Sequence, residues 1–209
     1  MEIKSRPEYD NRSYDKLQVE IKTIAKRAIE RCNKTRVAID IGGHLGFASN
    51  YYSKHFEKVH TFEPLFYKHT KINLDHLDNV EVYSHGLGKE EKIERIWIAQ
   101  HNIGGSSMVS HPLRERKWMH KAQHKDVKVL PLDSFNFTNV DFIKIDVESY
   151  EYEVLKGAEN TIKMNKPIIA IEILKTYQPN YKKIVKYIHK LGYKADSKFN
   201  DDIIFKYGI

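Results

Sequence analysis

Two groups of residues in this chain have the types and spacing to do chemistry. The first is Asp40-Ile41-Gly42-Gly43-His44-Leu45-Gly46, a glycine turn preceded by an acid, with a second acid, Glu63, about 20 positions after the first glycine. Glycines at 42, 43 and 46 permit backbone angles closed to other residues and are expected to let a ligand approach the main chain. A helix starting just after them would offer free N–H groups to an anion. Asp40 is expected to accept hydrogen bonds from a ligand ammonium or from the loop, and Glu63 to bind a ribose through both hydroxyls. The glycines fall at i, i+1 and i+4, whereas a nicotinamide dinucleotide fingerprint needs i, i+2 and i+5, so that cofactor is disfavoured. The second group is Lys144, Asp146 and Glu148, followed by Glu172. Alternation along a strand places the first three on one side, and Ile168, Ala170 and Glu172 on one side of the next strand. A lysine in a strand covered on both faces needs a charge partner, which predicts a pair with Asp146 or Glu172. Such carboxylates are suited to removing a proton from a hydroxyl; Asp146 is a candidate either for that base or for the ligand of a cofactor amino group, and Glu148 either for a second acceptor-site carboxylate or for a cap of the next helix.

The elements that must hold these residues alternate between strand and helix. Apolar positions at Leu17, Ile21, Ile24, Ala25, Ala28 and Ile29 predict an amphipathic helix within an N-terminal extension, residues 1–34. Short apolar runs predict strands at 37–41, 59–63, 80–84, 95–99, 127–130, 142–147, 168–173 and 201–207, with helices at 45–56, 66–77, 150–162 and 181–191. This pattern implies one α/β domain over 1–209, a doubly wound, mostly parallel, seven-stranded sheet of Rossmann-like type with an antiparallel edge strand. In such a sheet ligands settle at the carboxyl ends of the strands. The turn Ser84-His85-Gly86-Leu87-Gly88 ends the third strand, and Gly86 and Leu87 are candidate contacts for an adenine there. Residues 101–125 form a polar, basic insertion. Its His111, Arg114, Arg116, Lys117 and Trp118 suggest a lid over an anionic ligand.

The 209 residues suit one domain, and 41% hydrophobic with 30% charged residues is ordinary for a soluble chain. No run is long enough for a membrane span, the N-terminus lacks a signal-like apolar stretch, and Cys32 is alone, so a reducing, cytoplasmic location is expected. The net charge of +7 would attract anions without selecting among them. His120 and His124 are four apart, but no third ligand accompanies them, and no metal is expected. Nothing in the sequence specifies an oligomeric state.

From Val37 to Phe205 the chain resembles the FkbM-type methyltransferases. Asp40–Gly46 is similar to that family's D-x-G-A-N-x-G, Phe62-Glu63-Pro64 to its F-E-P, and Lys144–Glu151 to its K-I-D-V-E-G-x-E. Val154–Ala158 continues it as V-L-x-G-A, and Pro167–Glu172 resembles its P-x-I-x-I-E strand. The departures are Gly43 for alanine, His44 for asparagine and Ser149 for glycine. The resemblance implies S-adenosyl-L-methionine as methyl donor, cradled by Asp40, Gly42, Gly43, His44, Gly46, Glu63 and Pro64. It implies a hydroxyl acceptor on a sugar or small metabolite, with Lys144, Asp146, Glu148 and Glu172 at the reaction centre. It leaves His44 a single hydrogen bond to the cofactor carboxylate. Two alternatives remain open: methylation of an RNA ribose 2′-hydroxyl, suited to a basic surface though unsupported by an aromatic and basic stripe, and a module that binds the cofactor without chemistry.

Overall fold

A computed structural model of the protein describes residues 1–8, 13–98, 106–108, 123–173 and 180–208. Helix α1 (Asp15–Ile29) leads into β1 (Val37–Ile41), α2 (Phe47–Tyr52), β2 (Lys58–Phe62), α3 (Tyr67–Leu74) and β3 (Val80–Tyr83). There follow β4 (Gly86–Leu87), β5 (Lys92–Trp97), β6 (His124–Leu130), β7 (Val140–Ile145), α4 (Glu151–Gly157), α5 (Glu159–Asn165), β8 (Ile168–Glu172), α6 (Tyr181–Lys190), β9 (Tyr193–Phe199) and β10 (Asp202–Tyr207).

Seven strands form the main sheet in the order β3-β2-β1-β7-β8-β10-β9. The pairs from β3 to β8 are parallel, and β10 runs antiparallel to both β8 and β9. The central strands read as continuous apolar runs because both faces are covered. On one face Ile39, Ile143, Ile145 and Ile171 pack against α4, α5 and α6 through Val154, Leu155, Ile162 and Ile188. On the other, Ala38, Val59, Phe142 and Ala170 meet Ala25 and Ala28 of α1 and Tyr52 of α2. The predicted number of strands holds, but the membership differs. Strands β5 and β6, for which the sequence named no sheet, form a separate three-stranded sheet with β4, and the seventh place in the main sheet belongs to β9. The antiparallel strand β10 is consequently one place in from the edge.

The helix expected over 150–162 is two short helices meeting at Ala158. A Cβ on Gly157 would lie 1.8 Å from the carbonyl oxygen of Gly88, so glycine there lets α4 press onto the strand-ending turn. The N-terminal segment is fastened by buried Asn73, whose amide accepts from the N–H groups of Lys4 and Ser5 and donates to the carbonyls of Ser5 and Leu45. Residues 101–105 and 109–122 of the expected lid, with His111, Arg114, Arg116, Lys117, Trp118 and His120, lie outside the described residues. Among the described residues no helix is long and apolar enough to cross a membrane.

Candidate functional site

The order reverses beside β1, which has β2 on one side and β7 on the other, so the loops after β1 and β7 leave the sheet in opposite directions and open a crevice. A cavity of about 380 Å³ occupies it. Gly42, Gly43 and His44 line it from the first loop, Glu63 and Pro64 from the second, Asp146 and Glu148 from the loop after β7, and Glu172 from the end of β8.

The glycines of the first loop serve the protein's own packing. A Cβ on Gly42, at φ +89°, would fall 1.8 Å from the carbonyl oxygen of Asp146, and one on Gly46, at φ +92°, would strike Leu74. A Cβ on Gly43 would lie 2.3 Å from Cγ2 of Thr61. The departure from alanine at 43 thus goes with the methyl group of Thr61. Within the loop itself four backbone N–H groups are bonded to the protein. Gly42 and Gly43 donate to the Phe62 carbonyl at 3.0 and 3.1 Å, and Gly46 to that of Gly43 at 2.8 Å. His44 donates to Oε2 of Glu63 at 2.8 Å.

Glu63 therefore has a second duty. Its Oε1 accepts from the N–H groups of Leu65 (2.8 Å) and Phe66 (2.9 Å), so one carboxylate ties the first loop to the start of α3. Burial pushes its carboxyl up while these three backbone donors oppose the rise. The carboxylate borders the cavity, and its oxygens retain acceptor capacity beyond three bonds.

Lys144, in register with Asp40 of β1 and Ala170 of β8, sends its ammonium to Oδ2 of Asp146 at 2.6 Å. Burial works against the lysine charge, but Asp146 and Asp202 together hold it well above its ordinary range. The enclosed wall opposes ionisation of Asp146, yet Lys144 and a hydrogen bond from Glu172 hold its carboxyl below the usual range. Glu172 moves the other way, pushed up to about 10 first by the charge of Asp146 and then by burial. The two shifts run in opposite directions, Lys144 favouring the ionised form of Asp146 and the charge of Asp146 favouring the protonated form of Glu172, so the two carboxyl groups titrate as a pair. Asp202, paired in register with Glu172, completes a row of three acids, and burial pushes it up to about 6.

Four expected contacts stand elsewhere. Asp40 is fully buried and does not reach the cavity, because its Oδ2 accepts from Ser49 of α2 at 2.5 Å and Ser49 is bonded in turn to Thr61 at 2.7 Å. Gly46 caps α2 rather than lining the cavity. Leu87 is core, 2% exposed, and Gly86 sits behind Met108 and Pro64, which form the cavity wall at that point. The turn after Asp146 holds Glu148 at φ +51° and Ser149 at φ +82°, the left-handed region that favours glycine. Ser149 therefore takes the family's glycine geometry without being glycine. Its N–H donates to the buried Glu151 carboxylate at 3.0 Å.

Sequence reasoning did not identify the apolar wall. Tyr14, Leu17 and Ile21 at the start of α1 line the cavity with Phe47, Phe66 and Met108. Leu17 and Ile21 were visible as an apolar stripe, but a stripe does not say which element it meets. Asp202 carried no signal beyond being an acid at the head of a closing strand. Among the described residues no group of three His, Cys, Asp or Glu side chains could hold a metal ion.

The model of the methyltransferase FkbM domain matches residues 40–195. No protein of curated function matches in sequence. Among solved structures, a methyltransferase FkbM from Methylobacillus flagellatus KT superposes with TM-score 0.57 and 19% identity over 83% of this chain, which spans only 44% of that protein. A precorrin-6y C5,15-methyltransferase from Geobacter metallireducens GS-15 gives TM-score 0.52 and 11% identity, over 97% of this chain and 91% of that one. A candidate methyltransferase from Streptococcus mutans, solved in complex with SAH, gives 0.51 and 11%, over 89% and 95%. At these identities the structural likeness is one of fold.

Proposed function

Because the chain belongs to the FkbM methyltransferase family, we propose that it transfers the methyl group of S-adenosylmethionine to a hydroxyl of a sugar or other small metabolite. The observation that carries this reading is the ionised Asp146, fixed by Lys144 and Glu172 on the wall of a cavity that also contains Gly42, Gly43 and Glu63. The cavity volume lies in the range of small-molecule sites. Its lining suits the cofactor: Glu63 would hold the ribose, the apolar surfaces of Pro64, Leu65 and Met108 would take a flat base, and the carboxylates of Asp146, Glu148 and Glu172 would favour a cationic group. The complex of the Streptococcus mutans protein with SAH supports the choice of cofactor by analogy of fold.

S-adenosylmethionine supplies an electrophilic methyl group. The protein's part is to align an acceptor oxygen with it and to take the proton that the oxygen loses. Asp146 is the base, since Lys144 favours its ionised form and its charge disfavours that of Glu172. Lys144 keeps Asp146 charged and fixes its direction, acting as a positioning residue, and Glu172 does so from the other side. Glu148, a lining residue with a left-handed backbone, would hydrogen-bond a polyol acceptor. The residues that suggested an anionic acceptor lie outside the described ones. The test is S-adenosylhomocysteine formation from S-adenosylmethionine across sugars, nucleotide sugars and RNA. Asp146→Asn should lower turnover by about 10²–10⁴-fold while S-adenosylhomocysteine still binds. Full turnover by that variant would overturn the assignment, and turnover on RNA alone would replace the acceptor class.

A further inference from the structure

Leu17 and Ile21 of α1 form one wall of the cavity with Phe47 and Ala48 of α2. All four side chains are hydrocarbon. Phe47 and Ala48 are buried by the protein itself, whereas Leu17 and Ile21 are half-buried and, as lining residues, give the cavity apolar surface. Ser13 and Tyr14, just before the helix, add hydroxyls to the same lining. The matched family domain begins at residue 40, so α1 lies outside it.

Helix α1 lies over the strands that carry the acids. Its Ala25 and Ala28 pack with Phe142, Ala170 and Ile204 of β7, β8 and β10, and Ile21 packs against the same cluster. Asp202, raised first by burial, is also raised by the charge of Glu20 on this helix. The helix runs away from the cavity, since Cys32 just beyond its end donates to the carbonyl of Asp141 at the start of β7. Leu17 and Ile21 are therefore near its cavity end, where they also pack against Tyr14, Phe47 and Phe66. The wall borders the strand ends from which Asp146 and Glu172 reach the cavity.

No part of S-adenosylmethionine calls for this wall. In the cofactor reading above, the base takes Pro64, Leu65 and Met108 and the ribose takes Glu63. What remains of the cofactor is an amino acid with two charges, and charged groups lose hydration against hydrocarbon without recompense. The acceptor is the other occupant of the site.

We propose that Leu17 and Ile21 are specificity-determining residues for the methyl acceptor, and that the acceptor carries an aromatic or aliphatic group beside its reacting hydroxyl, as a glycoside with an apolar aglycone does. The proposal rests on the methyl-transfer reading above and narrows its acceptor class. A bare sugar, with hydroxyls on every side, would press polar groups on Leu17 and Ile21 and leave them without partners. An apolar flank removes surface from water on both sides of the contact. A single methylene in such a contact discriminates by roughly 10- to 200-fold.

The test is calorimetric titration of the full chain, saturated with S-adenosylhomocysteine, with phenyl β-glucoside and with methyl β-glucoside. Wild-type protein should bind the phenyl compound at least about tenfold more tightly. Leu17→Gln should lose most of that preference, and Val19→Gln, on an exposed position of α1 that does not line the cavity, should keep it. Thermal melts establish that each variant is folded, and Leu17→Ala gives the same comparison without placing a polar group in the packing. Equal affinity for the two glucosides, no binding of either, or the wild-type preference in the Leu17 variants overturns the proposal and leaves the cofactor reading standing. Loss of S-adenosylhomocysteine affinity in the folded Leu17 variants would assign the wall to the cofactor and overturn it too. Absence of S-adenosylhomocysteine binding by wild-type protein overturns the cofactor reading and this proposal with it.

Discussion

Glu172→Gln keeps the length and planar shape of the side chain, and its amide can donate to Asp146 as the protonated carboxyl does. It removes the need for the proton. In the folded chain the Glu172 carboxyl is pushed from an ordinary 4.5 up to about 10, so between those values folding takes up a proton that the unfolded chain does not hold. Stability from this group is fully present below about pH 4.5 and falls as pH rises towards 10. At pH 7, about 2.5 units above the unfolded value, the stability lost is on the order of a few kcal/mol. Because Asp146 shares the proton, a gain of about 1–3 kcal/mol for the glutamine variant is expected. Urea unfolding followed by tryptophan fluorescence at about pH 5.5, 7 and 8.5 reads this directly, since Glu151 and Asp202, whose carboxyls are also raised, are common to both proteins and cancel in the difference. The wild-type curve should fall away from the variant curve as pH rises. Parallel curves, or a variant less stable at every pH, would show that Glu172 is not the proton holder and would remove the reason for assigning the base to Asp146.

Gly43→Ala should destabilise by about 1–3 kcal/mol through overpacking against Thr61, and Thr61→Ser, which removes only the obstructing methyl, should recover most of it; additive effects in the double variant would refute the contact. Ser149→Gly should raise the urea midpoint by an amount equivalent to about 1 kcal/mol, because glycine takes φ +82° without strain; an unchanged or lowered midpoint would mean that the Glu151 carboxylate already offsets the cost. Gly42→Ala should prevent stable folding, visible as loss of a cooperative melt, since its Cβ has backbone on the far side and nothing that can yield.

What could be read from the sequence was whatever one stretch of chain determines by itself. The β1 run, its glycines and the acid at the end of β2 announce themselves through residue types at short spacing, and the apolar runs of β7 and β8 follow from burial on both faces. Strand β9 was missed because Tyr-Lys-Ala-Asp-Ser-Lys-Phe at a sheet edge is largely exposed and has little apolar alternation. The small sheet could not be told apart from the main one, because periodicity marks a strand without naming its partner. Likewise Asp40 reads as a ligand contact from its place before the glycines, and only the Ser49 hydroxyl of α2 shows that it turns away. The inward-facing loop amides, the shared proton and the α1 wall all depend on groups far apart in sequence meeting in space.

Strand β1 has its β7 neighbour about a hundred residues downstream, in the pairing Asp40 with Lys144. The glycine loop thus belongs to the early half of the chain and the carboxylate row to the late half, and neither is a binding surface alone. Closing that long loop is the entropically expensive event of folding, and parallel pairings of this kind are slow to form. Ligand uptake during refolding would accordingly trail the recovery of helical signal, and a bound nucleoside would act as a latch on the last large-scale association of the polypeptide.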